Sequence, residues 1–253
     1  MLQAFCHGKS RLHLRYLGHR EIGEGRVSEE DEITSLIMGP LEYLPATDVG
    51  EFWRALVGPT AQSRLSFPTG LVERALLHFW PRRQIEPDLM VELRWPTGER
   101  RLLVVEFKWK APLSGDDQLH RQWLEFLTPS ERQHAYHLFI APDISSGLNA
   151  KGDEDIWEGR LILHSWLSVL GVLHAMDKTG SPGLDRWQTR VTTFLRKIGI
   201  RSFRGFIDFN VPTCIGTRPA FWYPFDGFSA VIAHPLHVLS KKPAHFLWGS
   251  TDE

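Results

Sequence analysis

The sequence predicts an α/β protein in which helices flank a mixed central sheet. The first observation is the order of predicted elements between residues 28 and 142: a helix, three strands, a helix and a fourth strand. The second is a tight turn at residues 95–99, between two apolar runs, which predicts a hairpin in this sheet. The third is composition, because 42% hydrophobic and 23% charged residues in a chain of 253 are typical of a globular protein with a sizeable core.

An acidic start followed by an apolar stripe predicts the first core helix. Ser28 is a suitable N-cap, and the acids that follow it stabilise the positive end of a helix dipole. Apolar side chains then recur at spacings of three and four residues, which indicates one buried face: Ile33, Leu36, Ile37, Leu41 and Leu44. We expect Gly39-Pro40 to bend or interrupt this helix, and residues 48–57 to form a second, short one.

Three strands are predicted next, at about 74–84, 88–94 and 100–109. A helix is predicted from residue 115 to 127, with leucines and aromatic residues on its apolar side. An apolar run at 135–141 then predicts a buried strand.

The remaining chain is predicted to extend this core. Residues 143–155 are polar and predict a loop, residues 160–163 predict a strand that leads into a helix ending near 176, and residues 184–198 predict another helix. The last fifty residues are rich in aromatic residues and proline and show no clean period. We therefore expect an N-terminal extension, a core, and a mostly helical or irregular C-terminal extension, at residues 1–27, 28–165 and 166–253.

Charge is balanced overall but unevenly distributed. The formal net charge is −1, yet residues 186–204 carry six cations and no acid. Such a segment either tracks phosphates or is the solvated face of a helix, and the sequence leaves both readings open. If it binds nucleic acid, the candidate contacts are Arg186, Arg190, Arg196 and Lys197.

Several classes of protein are excluded or disfavoured. Two cysteines, Cys6 and Cys214, are too few for a disulfide scaffold or a cysteine-based zinc cluster. No apolar run reaches the length of a membrane span, and the N-terminus lacks the apolar region of a secretory signal, so we predict a cytoplasmic protein with no membrane partner. No phosphate-loop pattern is present, and we predict no organic cofactor.

Two acids and a lysine in the predicted hairpin are the candidate site. Asp88 opens one strand, and Glu106 and Lys108 lie near the end of the next. Alternate side chains share a face of a strand, so Glu106 and Lys108 point the same way, and the hairpin can bring Asp88 to them. Glu106 follows four apolar residues, and a buried carboxylate needs a partner, either a hard divalent cation or Lys108 itself.

This arrangement resembles the signature of the PD-(D/E)xK nuclease superfamily, which has a restriction-endonuclease-like fold. Pro87-Asp88 matches the PD element, Glu106-Phe107-Lys108 matches the ExK element, and the predicted order matches the superfamily's αβββαβ core over about residues 28–142. The resemblance implies that Asp88 and Glu106 bind Mg²⁺, with Mn²⁺ as a substitute, and that the Phe107 carbonyl is a further ligand. It implies that Lys108 orients or deprotonates the attacking water; Lys110 is a weaker substitute candidate.

The resemblance extends to two helices. Members often carry an acid on the first core helix, and Glu30, which borders the apolar face, is preferred over Glu29 and Glu32 as a catalytic and metal-binding residue. Members often carry a glutamine on the helix after the lysine strand, which implies a catalytic role for Gln118. Each of these residues could equally be a solvated surface group. On the same helix, Arg121 and Gln122 are candidate nucleic-acid contacts.

The function that the resemblance implies is Mg²⁺-dependent hydrolysis of DNA phosphodiester bonds, in a setting such as bacterial restriction or phage defence. RNA is not excluded as a substrate. No sequence-reading module is visible, so we expect a protein partner or a homodimer. The alternative is a catalytically retired, nuclease-like subunit that binds nucleic acid or protein in a larger complex. A third reading, a hydrolase that uses Asp88 and Glu106 as an acid/base pair, leaves Lys108 without a role.

Overall fold

A five-stranded mixed sheet forms the centre of the protein in a computed structural model. The structure describes residues 2–11, 13–19, 29–58, 65–115, 117–152, 155–176 and 181–201, all within one compact unit, Met1–Phe203. The strands follow chain order across the sheet: β1 Arg74–Phe79, β2 Leu89–Arg94, β3 Arg100–Phe107, β4 Ala135–Ala141 and β5 Leu161–Ser165. β1, β2 and β3 pair antiparallel, whereas β3, β4 and β5 pair parallel. The predicted mixed sheet is therefore confirmed.

Helices cover both faces of the sheet. Before the sheet lie α1 Leu2–Cys6, α2 His13–Tyr16, α3 Glu29–Met38, which a 3₁₀ turn Gly39–Tyr43 continues, and α4 Ala46–Val57. Between β3 and β5 lie α5 Gln118–Arg121, a π-helical turn Gln122–Phe126, α6 Pro129–Arg132 and α7 Ser145–Lys151. After β5 come α8 Trp166–Ala175 and α9 Pro182–Lys197.

The two faces of β3 belong to two separate apolar clusters. Leu103, Val105 and Phe107 are buried against the face covered by α3, α4, α8 and α9. Leu102 and Val104 are buried on the other face, against the layer formed by α5 and the π-helical turn. This is the strand alternation expected from the sequence. Helices α8 and α9 share the first cluster, so they are packed as part of the same core as the sheet.

Three predicted elements differ from the structure. β1 ends at Phe79 rather than at residue 84, because Trp80 has φ +46° and Pro81 has no N–H for the ladder. The predicted loop 143–155 contains α7, so that part of the prediction is wrong. The helix predicted from residue 115 begins at Gln118 and becomes π-helical after Arg121.

Some predictions lie outside the described residues. They include the N-cap Ser28 and the aromatic-rich region after residue 201. Within the described ranges, no helix is both long and apolar enough to cross a membrane.

Candidate active site

The register of the β2–β3 hairpin brings Asp88 and Glu106 opposite each other. Leu89 pairs with Val105, so the next rung toward the strand ends joins Asp88 to Glu106. Both side chains follow the parity of Leu102 and Val104 and therefore lie on the face covered by α5. The convergence predicted from the sequence is present in the structure.

Pro87 leaves the Phe107 carbonyl without its expected ladder donor. The same register sets Phe107 opposite Pro87, and in a regular ladder these two residues would exchange two main-chain hydrogen bonds. Proline has no N–H, so the Phe107 carbonyl receives nothing from it. The Phe107 N–H donates instead to Asp88 Oδ2 at 2.7 Å. A main-chain oxygen thus points to the same edge of the strand as the Asp88 carboxylate.

Glu106 is only 2% exposed, and three protein donors bind its carboxylate. Gln118 Nε2 donates to Oε1 at 2.7 Å, and Gln122 Nε2 donates to Oε2 at 2.6 Å. Lys108 Nζ lies 2.8 Å from Oε1. These contacts answer the requirement that a buried carboxylate be hydrogen-bonded, and they leave acceptor capacity on Oε2.

A directed chain of hydrogen bonds supports Gln122 from behind. The Trp157 indole N–H donates to His137 Nδ1 at 3.1 Å, and His137 Nε2 lies 3.0 Å from Gln122 Oε1. An indole only donates, so Nδ1 accepts and the neutral ring carries its proton on Nε2. Burial, with a smaller effect from nearby His120, lowers the pKa of His137 to about 3. The chain therefore stays neutral and aims the Gln122 NH₂ group at Glu106.

Glu30 binds the lysine of the site. Glu30 Oε2 lies 3.3 Å from Lys108 Nζ, and Glu30 Oε1 accepts the Trp109 N–H at 2.9 Å. The neighbouring acids are engaged elsewhere, because Glu29 pairs with Lys110 and Glu32 pairs with Arg15. Among the acids of α3, Glu30 is the one that contacts Lys108 in the described residues, and its catalytic role stays a prediction.

The cluster carries more negative than positive charge. Burial, then the charge of Glu106, raises the pKa of Asp88 to about 8. Burial opposes the charge of Lys108, but the Glu106 and Glu30 carboxylates outweigh it and raise the pKa of this lysine. One ammonium group thus serves three carboxylates, and an added cation would offset the burial and the repulsion that together raise the pKa of Asp88.

The donor set that fits a divalent ion is smaller than predicted. In the described part of the chain, no three His, Cys, Asp or Glu side chains form a group that could hold a metal. Both oxygens of Glu30 are directed at Trp109 and Lys108, so its assignment as a metal ligand is not supported. Asp88, Glu106 Oε2 and the Phe107 carbonyl remain, and oxygen donors of this kind suit Mg²⁺, which keeps several waters.

The predicted nucleic-acid contacts have different outcomes. Gln122 is fully buried, so its assignment as a nucleic-acid contact is wrong; its amide serves Glu106 instead. Arg121 is exposed and pairs with Glu125. The four cations of α9, Arg186, Arg190, Arg196 and Lys197, form no hydrogen bond or ion pair with Asp88, Glu106 or Lys108 in the described ranges. Their role stays a prediction.

Sequence reasoning missed His137 and Trp157. His137 interrupts an apolar run in β4, and a lone polar residue in a buried strand was the available signal. Its partner depends on the parallel β3–β4 register and on the loop before β5, neither of which the sequence specifies.

No protein-family model, curated protein or solved structure matches this chain. The resemblance therefore rests on the motif residues and the geometry they adopt.

Proposed function

We propose that the chain is a divalent-metal-dependent nuclease that hydrolyses phosphodiester bonds of nucleic acid. The observation that carries the proposal is the rung on which Asp88 faces Glu106, with Lys108 on the same face and the Phe107 carbonyl lacking its ladder partner. A buried, net-negative group of oxygen donors beside one ammonium group has the composition of a hydrolytic Mg²⁺ site.

We propose that α3, β1, β2, β3, α5 and β4 are an αβββαβ core of the restriction-endonuclease type. Their order and the mixed sheet support it, and so does the place of the cluster at the ends of β2 and β3.

Each residue of the cluster has a distinct task in this proposal. Asp88, Glu106 and the Phe107 carbonyl would hold Mg²⁺, which lowers the pKa of a water and offsets charge on a phosphate when bound. Gln118 fixes Glu106, and its own orientation is set because its Oε1 accepts the Ser114 N–H at 2.7 Å. Lys108 donates toward the water or the phosphate oxygens, and Glu30 keeps its ammonium group in place.

Cleavage of plasmid DNA tests the proposal. We expect cleavage with Mg²⁺ or Mn²⁺ and none in EDTA. Lys108→Ala should lower the rate by at least about 100-fold, because it removes a cation aimed at developing charge. Lys110→Ala is the matched control, since Lys110 lies two residues further along, is half-exposed and pairs with Glu29.

Two outcomes would count against the assignment. If cleavage survives in EDTA and also in the Lys108→Ala variant, neither a metal ion nor Lys108 takes part in catalysis. A rate lost in Lys110→Ala but kept in Lys108→Ala would move the catalytic cation to Lys110. DNA as the substrate, and a second copy or partner for paired cuts, are parts of the proposal that the same assay addresses with linear, nicked and RNA substrates.

A second candidate is a nuclease-like subunit that binds nucleic acid or protein without turnover. One observation favours it: Glu106 is already satisfied by Gln118, Gln122 and Lys108 and needs no metal for stability. Titration calorimetry with Mn²⁺ separates the two candidates. A working site binds the ion in the wild type and loses it in Asp88→Asn, whereas a retired site shows no binding in either protein.

A further inference from the structure

An open-sided cavity of about 710 Å³ lies at the end of β1, on the α3 and α9 side of the sheet. Its walls come from α1, from α3 with its 3₁₀ turn, from the end of β1 and from α9. The volume is within the range of small-ligand sites, about 300–1,000 Å³. None of the tasks proposed for the cluster uses it.

Trp80 connects the cavity to the cluster. It lines the cavity, and its N–H donates to the Asp88 carbonyl at 3.0 Å.

Aromatic side chains lie at the cavity in unusual states. The Tyr43 side chain is 86% exposed at the rim, although a large ring would normally be covered. Trp80 has φ +46°, which is a strained conformation for a bulky residue. Strain of this kind is retained where the surroundings impose it, commonly at ligand sites. The Tyr43 ring is thus presented at the opening, and Trp80 forms part of the wall.

The wall formed by α9 is cationic. Arg186 and Arg190 lie four residues apart and therefore on one side of the helix. Within the described residues neither guanidinium forms an ion pair, and the acid in this lining is Glu42. An anionic ligand with a flat apolar part would match the aromatic rim and the arginines together.

We propose that this cavity receives an unpaired base of a nucleic-acid strand whose adjacent phosphate lies at Asp88 and Glu106. Tyr43 and Trp80 stack on the base, and Arg186 and Arg190 pair with flanking phosphates. This inference rests on the proposed nuclease function and specifies its substrate: a strand that is single or locally unpaired at the cut. It also gives part of the cationic segment of α9 a task.

Binding of a labelled oligonucleotide tests the cavity without cleavage. The full chain in EDTA is titrated into single-stranded DNA and followed by fluorescence anisotropy. Tyr43→Ala should weaken binding about tenfold, and the double variant Arg186→Ala/Arg190→Ala should do so and also flatten the dependence on salt. Leu71→Ala, at another exposed apolar residue, and Arg74→Ala, at the start of β1, are the matched controls.

The proposal is overturned if Tyr43→Ala binds as tightly as Leu71→Ala. It is also overturned if a fully paired duplex binds as well as the single strand and is equally sensitive to Tyr43→Ala. A free mononucleotide that competes at the same concentration as the strand would show that the cavity takes a diffusing nucleotide instead.

A small diester separates this inference from the proposed function. Bis(4-nitrophenyl) phosphate needs the metal site alone, so Tyr43→Ala should leave its Mn²⁺-dependent hydrolysis unchanged. If that hydrolysis depends on Asp88 while the cavity variants bind strands normally, the cavity inference fails and the nuclease stands. If the cavity variants lose strand binding while the wild type hydrolyses nothing, the nuclease fails and the base site stands.

Discussion

The two ends of the β2–β3 hairpin shift the pKa of a carboxyl group in opposite directions. At the turn end, Glu92 is 7% exposed and lies between Arg94, at 2.5 Å, and Arg100, at 3.2 Å. Burial alone would raise the pKa of Glu92, but the two arginines lower it. At the other end, the pKa of Asp88 is raised to about 8 by burial and by Glu106.

Under the proposed function, this difference separates a carboxylate that stabilises the fold from one that binds a cation. Asp88 immediately precedes β2 and lies four residues from Glu92 on the same face, so strand geometry does not distinguish them. What differs is the ratio of cations to acids: two arginines serve one carboxylate at the turn, and one lysine serves three carboxylates at the site. A shortage of cations inside a fold costs stability and is typical of places that bind a cation.

Replacing the carboxylate by its amide should lower activity and raise stability at Asp88, and should leave activity unchanged and lower stability at Glu92. Asp88→Asn should lower Mn²⁺-dependent cleavage by at least about 100-fold and should raise the melting temperature of the metal-free protein at pH 8, because it removes repulsion with Glu106. Glu92→Gln should leave cleavage unchanged and destabilise the fold by about 1 kcal/mol, since two arginines lose their partner. Cleavage assays and thermal melts in EDTA check both.

Asp143→Asn controls for loss of an exposed aspartate, because Asp143 binds only Ser145 among the described residues. The proposed contrast between Asp88 and Glu92 is wrong if Asp88→Asn destabilises the metal-free protein as much as Glu92→Gln does. Asp88 would then be a structural residue that happens to face Glu106.

The support behind Glu106 can be weakened without touching a proposed ligand. Gln122→Met keeps the length of the side chain but removes the N–H that Glu106 Oε2 accepts. Partners that orient a ligand commonly contribute about 10–100-fold to metal affinity, and we expect a loss of that size for Mn²⁺ by calorimetry. Gln133→Met, at an exposed residue after α6, should bind as the wild type does.

The competing view is that Gln122 only fills the core. In that case Gln122→Met would lower the melting temperature while Mn²⁺ affinity stayed at the wild-type value. A Gln122→Glu variant sharpens the test, because a second buried acid beside Glu106 should disturb the site more than Met does.

The sequence predicts the hairpin and the cluster because both depend on local patterns. Alternate residues of a strand share a face, so Glu106 and Lys108 are on the same side, and the turn at 95–99 sets the register. Glu30 could be preferred over its neighbours because it borders the apolar stripe of α3. These inferences need only the spacing along one element.

The missed features depend on contacts between distant elements. Helix α7 packs through Gly147, where a Cβ would lie 2.6 Å from Leu163, so no apolar stripe marks it. From the sequence alone, Gln122 is indistinguishable from a surface residue. Its burial follows from the π-helical turn and from β4, whose His137 contacts its side chain. Trp80 ends β1 by adopting a positive φ that its residue type does not favour. Tertiary packing decides each of these, and local propensity does not.

The smallest expected effect concerns the charge behind each acid. Glu92 pairs with two arginines, whereas Glu106 accepts from Gln122, which in turn contacts the neutral His137. The pKa of His137 is about 3 in the fold and about 6.5 when exposed, so the unfolded chain binds the extra proton first as pH falls. Stability should therefore fall as the pH drops from about 6.5 toward 3, because the unfolded chain takes up a proton that the folded protein does not.

Denaturant melts at several pH values measure that slope. His137→Gln should lower stability at every pH but flatten the slope in this window, because the new side chain does not titrate. His134→Gln, at an exposed histidine three residues earlier, should keep the wild-type slope. An unchanged slope in His137→Gln would mean that the ring is protonated in the fold. The support behind Glu106 would then be cationic, like that of Glu92, and the contrast between the two ends of the hairpin would narrow to Asp88 alone.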